Sequence, residues 1–206
     1  MVQTYPNKYL LGITGNIGAG KSTVLSLFQE LGAKTISSDA IAKKYTEPNS
    51  PVKAELKQIF GETIFNESGE ILRARIAELA FSDETKRNAL NSLLHPRVRE
   101  DFLEEFHNTK TEKVVAWEVP LLFETDAHTI CSGTLTVFVN PKTAWERVLA
   151  RGGMTREDFE RRSNAQLPIE KKKELSDFAI SNDTNREELR NHISEIYKTI
   201  LAKVET

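Results

Sequence analysis

The sequence carries one cysteine, Cys131, in 206 residues, so no disulfide can form within the chain. That suits a reducing compartment, and a lone cysteine reads first as a small buried apolar residue. There is no excess of base: 28 Lys and Arg stand against 30 Asp and Glu, a formal net charge of -2. A polynucleotide binder would show a basic surplus, so nucleic acid is not an expected partner. No apolar run approaches the length that spans a bilayer. The apolar segment Tyr9–Ile13 is far shorter than a secretory core and runs straight into a glycine-rich loop, so the expected compartment is the cytoplasm. Internal repeats and low-complexity tracts are also missing, which argues against solenoids and tails. What remains is 39% hydrophobic and 28% charged residues, the balance of a globular protein with a substantial core.

Strand-like and helix-like patterns alternate, and this predicts an α/β fold with a parallel sheet. Strands are expected at Tyr9–Thr14, Lys34–Ser37, Val114–Val119, Leu135–Val139 and Phe178–Ser181. A helix is expected over Lys21–Leu31, with Val24, Leu27, Phe28 and Leu31 on one face and Gly32 as its stop. Glu187–Lys203 reads as a closing helix. Between the second and third strands, Val52–His107 has helical periodicity, opened by Pro48 and Pro51 and broken by a turn at Asn66–Gly69. A simple crossover needs one helix, and this stretch holds three or four. The surplus predicts an inserted helical subdomain, about residues 48–108, that covers the substrate. A second charged region, about 147–173, carries Arg147, Arg151, Arg156, Arg161 and Arg162, with Gly152-Gly153 as a hinge. Most of these charges also read as a solvated helical surface.

Residues Gly15-Asn16-Ile17-Gly18-Ala19-Gly20-Lys21-Ser22 fit G-x-x-x-x-G-K-[ST] without a mismatch. The chemistry explains the spacing. Glycines let the backbone bend tightly and approach phosphate oxygens with no Cβ in the way. Successive N–H groups then converge on the anion, backed by the positive end of the following helix. Lys21 can reach the β- and γ-phosphates, and the Ser22 hydroxyl can ligate Mg²⁺. The motif needs a strand before it and a helix after it, and both are expected here.

The loop by itself indicates a nucleoside triphosphate and does not separate kinases from switches or motors. A GTPase would add a base-reading Asn-Lys-x-Asp segment, and none occurs. Asp39 follows the second strand, where ligands bind in open parallel sheets. It is placed to take a proton from an attacking hydroxyl. It is equally placed to cap a helix over Ala40–Tyr45. Arginines of the second charged region can close over phosphates and neutralise charge in the transition state.

The segment Thr14-Gly15-Asn16-Ile17-Gly18-Ala19-Gly20-Lys21-Ser22-Thr23 resembles the T-G-G-I-G-S-G-K-S-T opening of dephospho-CoA kinases. The likeness continues through Leu31-Gly32, Ser38-Asp39, Gly69…Arg73, Leu93-Leu94-His95-Pro96 and Val119-Pro120-Leu121-Leu122-Phe123-Glu124. It ends with Arg147…Arg151, Arg162…Gln166 and Asp177…Asn182. The His-Pro step and the Pro-Leu-Leu-Phe-Glu segment are far more diagnostic than the phosphate loop. The resemblance implies a P-loop NTPase fold, with a five-stranded parallel sheet flanked by helices, a helical substrate-binding insertion and a lid. It implies transfer of the ATP γ-phosphate to the ribose 3′-hydroxyl of dephospho-CoA, with Mg²⁺ as cofactor and ATP as co-substrate. Only small-molecule partners follow from it; it implies no membrane and no obligate protein partner.

By the same analogy Asp39 is the general base, with Lys21 and Arg151 stabilising the moving phosphoryl group. Gly15, Gly18, Ala19, Gly20, Lys21, Ser22, Thr23 and Asn182 would hold ATP, with Asn182 near the adenine. Arg73, His95, Pro96, Leu121 and Glu124 would line the acceptor side. Without the resemblance, His95 reads as a helix boundary before a proline. Four positions depart from the pattern: Asn16 replaces a glycine, Ser37 an aspartate, Glu118 an aspartate, and Gly152 an aspartate. Glu118, ending a buried strand, suits a water-mediated Mg²⁺ contact. Other readings of the residues are a P-loop kinase for a nucleoside, nucleotide or shikimate-like alcohol, and a nucleotide-dependent regulatory switch.

Overall fold

The computed structural model describes residues 5–205. The elements begin with β1 (Tyr9–Gly15), α1 (Lys21–Glu30) and β2 (Lys34–Ser37). Four helices follow: α2 (Ser38–Lys44), α3 (Lys53–Phe60), α4 (Arg73–Ser82) and α5 (Glu84–Asn108). Then come β3 (Val114–Glu118), β4 (Gly133–Phe138), α6 (Pro141–Arg151), α7 (Arg156–Asn164), α8 (Ile169–Leu175), β5 (Phe178–Ser181) and α9 (Arg186–Val204). The chain forms two compact units, one of them Ser38–Asn108 and the other the residues on either side of it.

The flanking residues build a five-stranded sheet in the order β2-β3-β1-β4-β5, parallel throughout. α-Helices make the crossovers from β1 to β2, β2 to β3 and β4 to β5, while turns and a short 3-10 segment, Ala127–Ile130, connect β3 to β4. All seven residues of β1 are buried, as a central strand with both faces covered requires. Val24, Leu27 and Phe28 of α1 and Leu189, Ile193 and Ile200 of α9 complete that core. Each such side chain contributes about 1.5–3 kcal/mol by leaving water. The strand order reverses direction around β1, so the loop after it opens where ligands bind in open α/β sheets.

The α/β architecture and the five parallel strands are those expected, with β4 displaced. It begins at Gly133, two residues before the expected start, and ends at Phe138. Glycine reads as a strand breaker, yet here the Tyr9 ring lies where a Cβ of residue 133 would be, so the strand needs glycine to pair with β1.

Within Ser38–Asn108, α5 packs against α2, α3 and α4. Phe102 and Phe106 stack with ring centres 5.9 Å apart. The turn expected at Asn66–Gly69 is present: Asn66 Oδ1 accepts from the Glu70 N–H at 2.8 Å, and Phe65 bridges Ile71. Two local readings change. The helix does not end at His95; α5 runs through Pro96. Proline removes the donor for the Ser92 carbonyl, and one residue on, the Arg97 guanidinium donates to the Leu93 carbonyl at 2.8 Å. Nor does Asp39 cap a helix over Ala40–Tyr45. α2 starts at Ser38, so Asp39 sits inside its first turn, where a carboxylate favours the helix dipole. Among the described residues no helix is long and apolar enough to cross a membrane.

Candidate active site

β1 ends at Gly15, and the loop Asn16–Gly20 leads directly into α1. Three glycines of the loop have positive φ: Gly15 at 153°, Gly18 at 79° and Gly20 at 79°. Space demands glycine as strongly as backbone angle does. A Cβ would collide with the Val137 carbonyl at Gly15, with the Ala144 backbone at Gly18 and with the Asn182 amide at Gly20. Ala19, between two of them, is fully buried. The Lys21 ammonium lies over the loop, donating to the Gly15 and Asn16 carbonyls at 3.2 Å each. Ser22 and Thr23 are exposed in the first turn of α1.

Neighbouring elements hold the loop in shape. Asn16, the departure from glycine, exchanges two bonds with Val139: its Nδ2 donates to the carbonyl at 3.1 Å and its Oδ1 accepts from the N–H at 3.3 Å. The substitution therefore adds a tie between the loop and the end of β4. Asn182, buried after β5, donates from its side-chain amide to the Ala19 carbonyl at 2.7 Å. Arg147 of α6 donates to the Asn182 carbonyl at 2.7 Å and to the Gly18 carbonyl at 3.5 Å. α6 is itself fixed at its start, where Asn140 caps Thr143 N at 2.9 Å and bonds Asp183. Arg147 thus braces the loop from behind, a role that its spacing from Arg151 did not reveal. Arg151 is the last residue of α6, exposed, and followed by Gly152 and Gly153 with φ of 73° and 78°.

Glu118 closes β3 in register with Ile13 of β1. It is buried, and its carboxylate accepts from the Ser37 hydroxyl at 2.9 Å. A serine at position 37 therefore serves the neighbouring carboxylate. The oxygen donors beside the loop, the Ser22 hydroxyl and the Glu118 carboxylate, are of the kind Mg²⁺ takes. Among the described residues there is no cluster of three or more His, Cys, Asp or Glu that would hold a metal unaided.

The Pro120–Glu124 segment continues from β3. Leu121 is half-buried, and Glu124 is paired with Lys172 of α8 at 2.9 Å. Lys172 is fully buried, and burial lowers its pKa while Glu124 opposes the shift. Nothing in the sequence pointed to it, because it lies within Lys171-Lys172-Lys173, which reads as a charged surface. Cys131 is buried against Gly12, and burial pushes its thiol up to about 12, as befits a packing residue rather than a nucleophile.

The remaining candidates lie in Ser38–Asn108. Asp39 and Arg73 are exposed in the first turns of α2 and α4. His95 and Pro96 are adjacent on α5 and largely exposed, and partial burial of the His95 imidazole lowers its pKa, toward the neutral form.

Residues 9–188 match the family model described as CoaE: Dephospho-CoA kinase. The chain belongs to the dephospho-CoA kinase family. It is 41% identical over 196 residues to a protein named dephospho-CoA kinase from Leptospira interrogans, covering 95% of each chain. A protein of the same name from Thermobifida fusca is 37% identical over 190 residues, covering 92% of this chain and 95% of the relative. A Thermus thermophilus protein of known crystal structure is 34% identical with a TM-score of 0.79, over 95% of this chain and 97% of that one. A Campylobacter jejuni dephospho-CoA kinase shares the fold at 24% identity and a TM-score of 0.62, over 94% and 98%. Family membership and the parallel-sheet kinase fold agree with what the motifs implied.

Proposed function

We propose that the protein transfers the γ-phosphate of ATP to the ribose 3′-hydroxyl of dephospho-CoA, giving CoA and ADP. The observation that carries this reading is the match of residues 9–188 to the dephospho-CoA kinase model, which takes in the phosphate loop, the His95-Pro96 step and the Pro120–Glu124 segment together.

The loop N–H groups and the start of α1 bind the triphosphate, with Gly15, Gly18, Ala19, Gly20, Lys21, Ser22 and Thr23 around it. Lys21 leaves the Gly15 and Asn16 carbonyls for the phosphates, which are the stronger acceptors. Asn182 stands behind the loop on the nucleotide side. Ser22, with Glu118 through water, would hold Mg²⁺, which supplies charge neutralisation on the phosphates. Arg73, His95, Pro96, Leu121 and Glu124 receive the acceptor, and the helices of about 48–108 present its ribose. Asp39 takes the 3′-hydroxyl proton as the oxygen attacks phosphorus in line with the departing ADP. Arg151, at the end of α6, neutralises charge on the moving phosphoryl group, and the lid of about 147–173 keeps out water that would otherwise take the phosphate.

The deciding experiment measures ADP release from Mg·ATP with and without dephospho-CoA, and the product's mass. Strong stimulation and a product heavier by one phosphate are expected. With a control kinase active, no stimulation overturns the assignment and leaves a phosphate loop in search of another alcohol. Asp39→Asn should lower kcat by about 10²–10⁴-fold with the KM for ATP little changed. A near-wild-type rate removes Asp39 from the base role.

A further inference from the structure

Two segments of the sheet unit, the end of β1 and the turn beyond β3, converge on the ammonium of Lys172, and a third reaches it through Glu124. Its Nζ is 2.9 Å from Glu124 Oε1, and donates to the Pro120 carbonyl at 3.0 Å and to the Thr14 hydroxyl at 3.4 Å. The Thr14 hydroxyl donates in turn to the Pro120 carbonyl at 3.0 Å. Glu124 Oε1 also accepts from the Leu167 N–H at 2.8 Å. The Lys172 side chain is 1% exposed, and Thr14 is fully buried.

These partners are not scattered. Thr14 is the residue before the first glycine of the phosphate loop. Pro120 and Glu124 bound the turn that follows β3. Leu167 and Lys172 come from the connection after α7 and from α8. One buried cation therefore joins the strand that carries the loop, the turn beyond β3 and the chain that follows the arginine-bearing helix.

A lysine here is costly as mere packing. Burying an ammonium is strongly unfavourable unless it is paired and hydrogen-bonded, and an apolar side chain would fill the same space without that cost. Its neighbours in sequence show the contrast: Lys171 and Lys173 reach surface partners, Glu174 and Glu170. Glu124 in turn depends on Lys172, because its other oxygen, Oε2, is buried with no hydrogen-bond partner.

We propose that Lys172 is a positioning residue for phosphoryl transfer, holding the turn beyond β3 and the α7–α8 connection in register with the phosphate loop. It touches neither substrate. It acts through Glu124, Pro120 and Thr14, so that the arginine-bearing segment and the acceptor-side turn meet the nucleotide in one fixed arrangement. This rests on the kinase reading above. Its consequence is coupling: with the register lost, bound ATP would meet water as readily as the alcohol, and phosphate would pass to water instead.

The test is the ratio of ADP released to phosphorylated dephospho-CoA formed, in wild type, Lys172→Met, Lys172→Arg, the charge-balanced pair Lys172→Met with Glu124→Gln, and Thr14→Val. The wild type should stay near one ADP per product. Lys172→Met should lose at least tenfold in kcat and raise the ratio to three or more, with the KM for ATP within threefold. Lys172→Arg should restore much of the coupling. If Lys172→Met alone does not fold, the isosteric Thr14→Val carries the measurement, and the charge-balanced pair is read only against Glu124→Gln alone, because Glu124 is also placed on the acceptor side. Both should uncouple in the same direction, Thr14→Val more mildly. Variants that fold and keep one ADP per product, losing rate only in proportion to their folded fraction, overturn the positioning role and leave a structural ion pair. A wild type that phosphorylates no dephospho-CoA overturns the kinase reading, and this role with it.

Discussion

The glycines of the phosphate loop are set by collision as much as by conformation, and the two effects can be separated by substitution. At Gly15 an added Cβ runs into the backbone carbonyl of Val137, which belongs to the neighbouring strand and cannot turn away. At Gly69 the φ of 74° is similarly left-handed, but nothing lies within 4 Å of a Cβ. Gly15→Ala should therefore cost about 3 kcal/mol, the upper end of the overpacking range, and Gly69→Ala about 1 kcal/mol, the backbone penalty by itself. Urea unfolding of the two variants checks this, and equal losses would mean that the β1–β4 pair yields to the methyl. At this scale the phosphate loop was readable from the sequence because its residue types are dictated by local geometry. Lys172 and Arg147 were not, because their roles depend on which distant carbonyls the fold brings to them. A lysine among lysines gives no sign of which one turns inward.

Among the elements, α7 shows how a segment rich in charge is anchored. Its sequence, Arg156–Asn164, is strongly polar, and most of its charges do face solvent, as their pattern suggested. One side chain, Phe159, turns into the core and meets Trp145 of α6 with ring centres 5.4 Å apart. Arg156 lies over both rings, at 5.0 Å from Trp145 and 5.7 Å from Phe159. Between the two helices stand Gly152 and Gly153, so this aromatic contact, rather than the connecting backbone, fixes where α7 sits. Trp145→Ala should speed amide exchange across Arg156–Asn164 by about tenfold or more, while β1 and β3 keep their protection. Unchanged exchange in α7 would place its anchor elsewhere. The strands and the long helices were legible in the sequence because their periodicity is a local property. The start of β4 was not, since the tolerance for Gly133 comes from Tyr9 on another strand. The continuation of α5 through Pro96 was hidden likewise, because a proline announces a break and the Arg97 bond to Leu93 is visible only in three dimensions.

For the whole molecule, the decisive asymmetry is that the nucleotide site belongs to the folded chain alone. In the proposed site the loop offers its N–H groups to an anion only while Val139, Asn182 and Arg147 hold it, and those contacts come from the residues just after β4 and β5 and from α6. An unfolded chain has no such cradle. Mg·ATP at a hundred times its Kd should then stabilise the protein by about 2.7 kcal/mol, since ligand binding to the native state draws the unfolding equilibrium toward it. For a chain of this size that corresponds to a rise in Tm of about 5–10 °C. Lys21→Met keeps the loop backbone but removes the cation proposed to face the β- and γ-phosphates, so most of the rise should vanish at the same nucleotide concentration. The ligand-free Tm should change little, because the Lys21 bonds to Gly15 and Asn16 are made at a partly exposed site. Thermal melts of both proteins, with and without Mg·ATP, make the comparison. A full shift in Lys21→Met would show that the backbone cradle and the start of α1 bind the triphosphate without help from Lys21, and would confine that lysine to the transfer step.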